Sequence, residues 1–195
     1  IHEKAIEYVG RYLRRAVLNG NDLDARLHLA LAANYAGIGF GNAGVHIPHA
    51  VAYPIAGLVR DYVPSGYRTR HPLVPHGMSV ILTAPAAFRF TYTTAPERHL
   101  RAAELLGWPV ADLNEAERRE ALPRALLSLM RDIGIPNGLT AIGYTQRDLP
   151  ALIEGTLRQP RLLSGAPRSV GAAELDLILR DAMQYWMNRD RKSVV

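Results

Sequence analysis

Apolar residues recur three and four positions apart along most of this chain, and almost nowhere do they alternate for long enough to build a strand. Ile6, Val9, Leu13 and Val17 form one such stripe, and Leu23, Leu27, Leu31 and Tyr35 a second. Leu126, Leu129, Met130 and Ile133 form a third, and Leu175, Ile178, Leu179 and Met183 a last. Faces with a helical period must be buried helix against helix, so the pattern predicts an all-α bundle of about seven to nine helices. Phe88, Phe90 and Tyr92 alternate with polar neighbours over too few positions to make a sheet.

Local chemistry sets the boundaries. Residues 1 to 18 read as a helix from the middle of a protein, with no capping residue ahead of Ile6, so more chain is expected upstream. Asn19-Gly20 ends it and Asp22 is a good N-cap for the next. From Leu27 to Ile38 that second helix is apolar on nearly every side, which predicts a central place in the bundle. A short helix follows, carrying His49 and Tyr53 one turn apart and breaking near Gly57. Arg60 to Pro75 is rich in Pro, Gly, Arg and Ser and reads as a long loop, a kind of segment that is often functional. His76 opens a helical pattern up to Pro85. Pro96 suits the first position of another, ending at Gly107. Asn114 with Glu117 resembles a capping box, Pro123 kinks or restarts the helix that follows, and Gly134-Ile-Pro136 stops it. Thr145 with Asp148 opens a helix through Ile153, Arg161 to Ser169 is loop, and Glu174 to Tyr185 is the final helix.

The 195 residues, 48% of them hydrophobic, suffice for one sizeable core without requiring two domains. The absence of cysteine excludes disulfides and thiolate metal sites and fits a reducing compartment. No run of about 18 apolar residues is present, and Ile1-His2-Glu3-Lys4 is not a secretory signal, so a cytoplasmic protein outside the membrane is expected. The net charge of +5 raises a nucleic-acid reading. Most arginines, however, sit beside acids along helical faces, and only Arg189-Asp-Arg-Lys192 clusters, which reads as solvated surface without nucleic acid as partner.

Chemistry concentrates in Gly39-Phe-Gly-Asn-Ala-Gly-Val-His-Ile-Pro-His49 and its continuation to Pro75-His76-Gly77. Four of the seven histidines, His46, His49, His71 and His76, fall within 31 residues, among Gly37, Gly39, Gly41 and Gly44, which allow close approach. Neutral imidazole is the commonest protein ligand for a transition metal. His49 and His76 could share one ion if their helices pack together; the alternative is that each satisfies a buried hydrogen bond. Asp24 and His28 share a helical face, yet an acid in the first turn also complements the helix dipole. No GxGxxG follows a strand, and there is no Walker loop and no GxSxG.

Ala36-Gly-Ile-Gly-Phe-Gly-Asn-Ala-Gly44, His49-Ala-Val-Ala-Tyr-Pro54 and His71-Pro-Leu-Val-Pro-His-Gly77, with Pro96-Glu-Arg-His-Leu100 and Asp148-Leu-Pro-Ala-Leu152, together resemble the iron-containing alcohol dehydrogenases. The closer likeness is to their hydroxyacid-oxoacid transhydrogenase branch. The resemblance implies a two-domain enzyme whose N-terminal α/β domain binds NAD and whose C-terminal helical domain supplies the metal. This chain matches only the helical half, so 1–195 is expected to be the metal-binding domain with the NAD domain absent from it. The family holds one divalent ion, Fe(II) by expectation with zinc also accommodated, through an Asp-x-x-x-His pair and two later histidines. The later two correspond to His49 and His76, and Asp24 and His28 do not align with the pair. Tyr53 stands where simple dehydrogenases carry a further histidine, and either donates a hydrogen bond to substrate or ribose or packs on the cleft wall. The loop from Arg60 is longer than in simple dehydrogenases, which makes Arg68, Arg70 and His71 candidates for a substrate carboxylate against the plainer reading of a solvated loop. The implied partners are a small alcohol or hydroxy and oxo acid, and a homo-oligomer or a nucleotide-binding half. A non-catalytic helical fragment or assembly domain, or a simple NAD-dependent iron alcohol dehydrogenase, is the alternative.

Overall fold

The computed structural model describes residues 1–187, so the Arg189–Lys192 cluster lies outside the described residues. Ten α-helices and three short 3₁₀ turns account for the regular structure, with no strand among the described residues. The expected all-α class holds, and the count exceeds seven to nine because two helices lie where none was read. These are α5 (Ala84–Thr91), with Pro85 in its first turn and parted by Leu82 and Thr83 from α4 (His76–Ile81), and α9 (Pro160–Leu163), largely inside the stretch read as loop.

α1 (His2–Leu18) and α2 (Leu23–Ala43) form a hairpin, and the Asp22 carboxylate accepts the Ala25 N–H as the N-cap reading required. α3 (Ile47–Gly57) follows, then the connection to α4 and α5. α6 (Pro96–Leu105) starts on its proline, and α7 (Glu115–Asp132) starts on the Asn114/Glu117 capping box. Pro123 lies inside α7, which runs on as one helix. A 3₁₀ turn (Gln146–Asp148), capped by Thr145, leads into α8 (Leu149–Leu157), and α10 (Ala172–Asp181) closes the described fold.

Two apolar clusters organise these helices. The larger joins Ile47, Val51 and Ile55 of α3 to Leu82, Met130, Leu149, Leu152, Leu175 and Leu179, all buried. Fully burying each such side chain is worth about 1.5–3 kcal/mol. α3 is therefore the best-packed helix near the histidine-rich stretch, and Gly155 of α8 lets Pro54 come so close that a Cβ there would lie 2.6 Å from the proline Cβ. The smaller cluster gathers Leu100, Leu106, Leu122 and Leu129 of the α6–α7 region, against which Ile6, Val9 and Leu13 of α1 rest. Arg89 of α5 forks onto Glu120 of α7 at 2.6 and 2.8 Å and also reaches Asp181 of α10, tying three helices at one node.

The central place expected for α2 is overturned. Only Ala25, Ala32 and Gly39 of it are buried, while Leu23, Leu27, Ile38 and Phe40 are exposed. The reason is that α2 packs chiefly on α1, and a cavity of about 650 Å³ separates Leu29, Ala32 and Ala36 on its inner side from Phe88 and Leu122. Gly39 does make the expected close approach, to the His2 ring, whereas Gly37 and Gly41 face open space.

Candidate metal centre

Two helix starts bring the candidate ligands together. α3 begins at Ile47-Pro48, where proline suits the first turn, and its next residue is His49. α4 begins at His76 itself, after Pro75, and Ser79 fixes that first turn by donating to the His76 carbonyl at 2.8 Å. Because α3 and α4 pack together, the His49 and His76 rings lie with centroids 5.5 Å apart at 57°. His49 is half-buried and His76 exposed. Burial, and then the neighbouring His76, hold the His49 imidazole below its usual pKa, so it is neutral and has a lone pair to offer near pH 7.

Tyr53 is one turn beyond His49 on α3 and 56% exposed, at the open side of the same helix and not sealed into a wall. Arg68, Arg70 and His71 are exposed on the connection between α3 and α4. The Thr69 hydroxyl bonds to the His71 backbone at 3.1 Å, and none of the three candidate side chains is hydrogen-bonded to the described residues. Asp24 and His28 sit far along the chain on α2 in an aromatic setting: His28 stacks on Tyr12 at 4.1 Å, and Asp24 pairs with Arg15 at 3.0 Å. That pair is accounted for by the α1–α2 hairpin.

No group of three or more His, Cys, Asp or Glu residues able to hold an ion occurs among the described residues. His49 and His76 offer two imidazoles, a donor type that suits a divalent ion but falls short of the three or four protein donors usual for such sites.

Two half-buried histidines lie close by, His46, which the sequence places in the histidine cluster without a role, and His99, which it does not single out. His46, at the N-cap of α3, has an Nδ1 buried without a partner and meets Phe88 edge-on at 6.0 Å. His99 meets the other side of Phe88 at 5.9 Å. His99 Nδ1 lies 2.9 Å from the Ala95 carbonyl, which can only accept, so Nδ1 carries the proton and Nε2 accepts from Thr91 at 3.1 Å. Both imidazoles titrate below the usual histidine value, chiefly through burial; neighbouring histidines add to this for His46.

A depressed histidine pKa means that the unfolded chain takes up the proton first as pH falls. Stability is therefore full above the unfolded value of about 6.5 and declines as pH drops below it. The thermal midpoint is expected to fall between about pH 7 and about pH 5, and less so in His99→Gln, which keeps both hydrogen bonds without the titration. Differential scanning calorimetry across that range checks it.

The comparisons with known proteins fit this arrangement. The sequence matches the profile described as the Fe-containing alcohol dehydrogenase family, C-terminal, over residues 1–183. The mitochondrial hydroxyacid-oxoacid transhydrogenases of Xenopus tropicalis and Homo sapiens are each 46% identical over 185 residues. Each match covers 93% of this chain and 39% of the relative, so the chain spans about two fifths of these relatives' length. Among solved structures, a 1,3-propanediol oxidoreductase superposes with a TM-score of 0.80 at 30% identity, over 92% of this chain and 44% of that one. An alcohol dehydrogenase from Oenococcus oeni gives 0.80 at 27% identity, over 92% and 43%. The helical fold is shared with these solved structures. The chain belongs to the Fe-containing alcohol dehydrogenase family and matches its C-terminal part.

Proposed function

We propose that this chain is the metal-binding helical domain of a hydroxyacid-oxoacid transhydrogenase, moving hydride between a hydroxy acid and an oxo acid through NAD. The observation that carries the reading is the meeting of His49 and His76 on two packed helix starts, in a chain 46% identical to transhydrogenases. In this reading residues 1–195 form one domain, and the nucleotide-binding half is a separate domain.

His49 and His76 would supply two of the ligands of a divalent ion, Fe(II) by family and zinc by ligand chemistry. Such an ion supplies Lewis acidity, polarising the substrate oxygen for hydride transfer to or from the nicotinamide. His49 contributes because burial keeps it neutral. Tyr53, exposed beside it, offers a hydroxyl that can orient substrate or ribose. Arg68, Arg70 and His71 present donors to the substrate carboxylate from the connection, and guanidinium does so with a fork. The exposed apolar residues of α2 favour cover by a second copy or by the nucleotide-binding half. The cysteine-free chain suits a reducing compartment, the cytoplasm in the sequence reading and the mitochondrion in the names of its transhydrogenase relatives. No helix among the described residues is long and apolar enough to cross a membrane.

The test is isotope transfer. In a polypeptide joining this domain to a nucleotide-binding half, deuterium from C2 of a 2-hydroxy acid should reach the product of 2-oxoglutarate without added NAD turnover. Oxidation of simple alcohols with net NADH release, and no transfer, would favour a simple dehydrogenase.

A further inference from the structure

His49 and His76 stand on different helices joined by the 58–75 connection, so their spacing depends on the packing of α3 on α4 and also on how that connection is held. Val59 and Tyr62 at its start pack on the larger apolar cluster, and Arg60 between them adds a polar fastening. Arg60 donates from Nη1 to Asp148 Oδ1 at 2.7 Å, and from Nη2 to Asp148 Oδ2 at 3.1 Å and to the Gly143 carbonyl at 2.8 Å. Its guanidinium also lies over the Tyr144 ring, 5.6 Å from the centroid. The Tyr144 hydroxyl donates to the Ile55 carbonyl in the last turn of α3 at 2.6 Å. Asp148 is itself anchored, accepting from the Thr145 N–H at 2.7 Å and hydroxyl at 3.0 Å at the entrance to α8.

The far end of the connection is held as well. The Leu73 N–H donates to the Tyr62 carbonyl at 2.8 Å, closing loop 63–72 two residues beyond Arg60, and Val74 is buried just before His76. The Tyr62 hydroxyl reaches Met78 Sδ on α4 at 3.5 Å. Tyr62, two residues beyond Arg60, thus joins the loop closure to the first turn of α4.

The geometry points to Arg60 as a positioning residue that, through its fork onto Asp148 and Gly143, fastens this connection and so holds His76 against His49. Exposed ion pairs contribute little to global stability. The effect of this one is therefore local, on the connection and the ring pair. Only its consequence for metal affinity rests on the proposed function; the ring contact is read without a metal.

The test uses the full chain, with Arg60→Ala, Arg60→Lys and, as control, Arg158→Ala, which removes an exposed pair with Glu154 inside α8. Losing hydrogen bonds between charged groups should speed amide exchange at Leu73 and Ser79 about tenfold in Arg60→Ala. The nuclear Overhauser contact between the His49 and His76 rings should weaken, and Co2+ affinity should fall about fivefold or more. Lysine should restore part of each, and Arg158→Ala should change none. Asp148→Asn keeps a capping oxygen and should loosen the same amides, which separates loss of the clamp from loss of the fold. Unchanged exchange and an unchanged ring contact in Arg60→Ala and Asp148→Asn would overturn the inference. If the wild type takes up no Co2+ while Arg60→Ala still loosens the ring pair, the positioning role stands without its consequence for metal affinity.

Discussion

Gly138→Ala is expected to destabilise the domain by about 3–5 kcal/mol, combining the strain of a left-handed backbone with an overpacked contact. Gly138 has a φ of +73°, and a Cβ there would lie 2.5 Å from the Ala182 carbonyl oxygen and 2.6 Å from that of Met183. Those are backbone atoms that cannot swing aside. They also hold the end of the fold: Leu139 and Thr140 donate to the same two carbonyls at 2.9 and 3.0 Å. The Asn137 side chain meanwhile clamps Tyr185 and Trp186. Tyr185 in turn donates to the Leu82 carbonyl at 2.8 Å, at the C-terminal end of α4, so the damage should reach the helix that starts at His76. Gly143→Ala is the control, with a φ of +93° but open space around the Cβ, and should cost only the strain of about 1–3 kcal/mol. Urea unfolding of the two variants decides it. Equal losses would mean that the crowding at Ala182 and Met183 is not what fixes glycine at 138.

The second large effect is on activity. In a polypeptide that joins this domain to a nucleotide-binding half, His49→Ala or His76→Ala should each lower kcat/KM by more than about a hundredfold. Even partners one shell removed from a metal typically cost 10- to 100-fold, and the proposed function puts these two in direct contact with the ion. Tyr53→Phe should cost less, about tenfold, the value of one ordinary hydrogen bond of roughly 1.4 kcal/mol. The order of the three variants matters more than the absolute values. A tyrosine variant as impaired as the histidine variants would give Tyr53 a part in proton movement and not only in orientation.

Much of this was legible in the sequence, for reasons that differ by feature. Helix ends marked by side-chain chemistry were placed well, because an N-cap acts within three residues: Asp22 caps α2 and Asn114 boxes with Glu117. The break of α3 near Gly57 and the start of α4 at His76 were equally local, and they set the histidine pair. The position of α2 was not legible, since periodicity reports how apolar a helix is and not what lies against it; Leu23, Leu27 and Phe40 face outward. Nor was the fork from Arg60 to Asp148, whose partners are 88 residues apart. The setting of His46 and His99 was not legible either, because their meeting with Phe88 arises only when α3, α5 and α6 come together. Helical pattern thus located the helix starts that carry His49 and His76, while the contacts around them arise only in the tertiary fold.

The most direct measurement is a calorimetric titration of the purified chain with Co2+ and Zn2+, alongside His49→Ala and His76→Ala. The account requires one ion per chain, bound through both imidazoles. Uptake should release protons only modestly near pH 7, because His49 is already neutral, and either substitution should abolish the binding. Unaltered binding in both variants would contradict the assignment of His49 and His76 as metal ligands; no binding in the wild type would mean that the pair is half of a site.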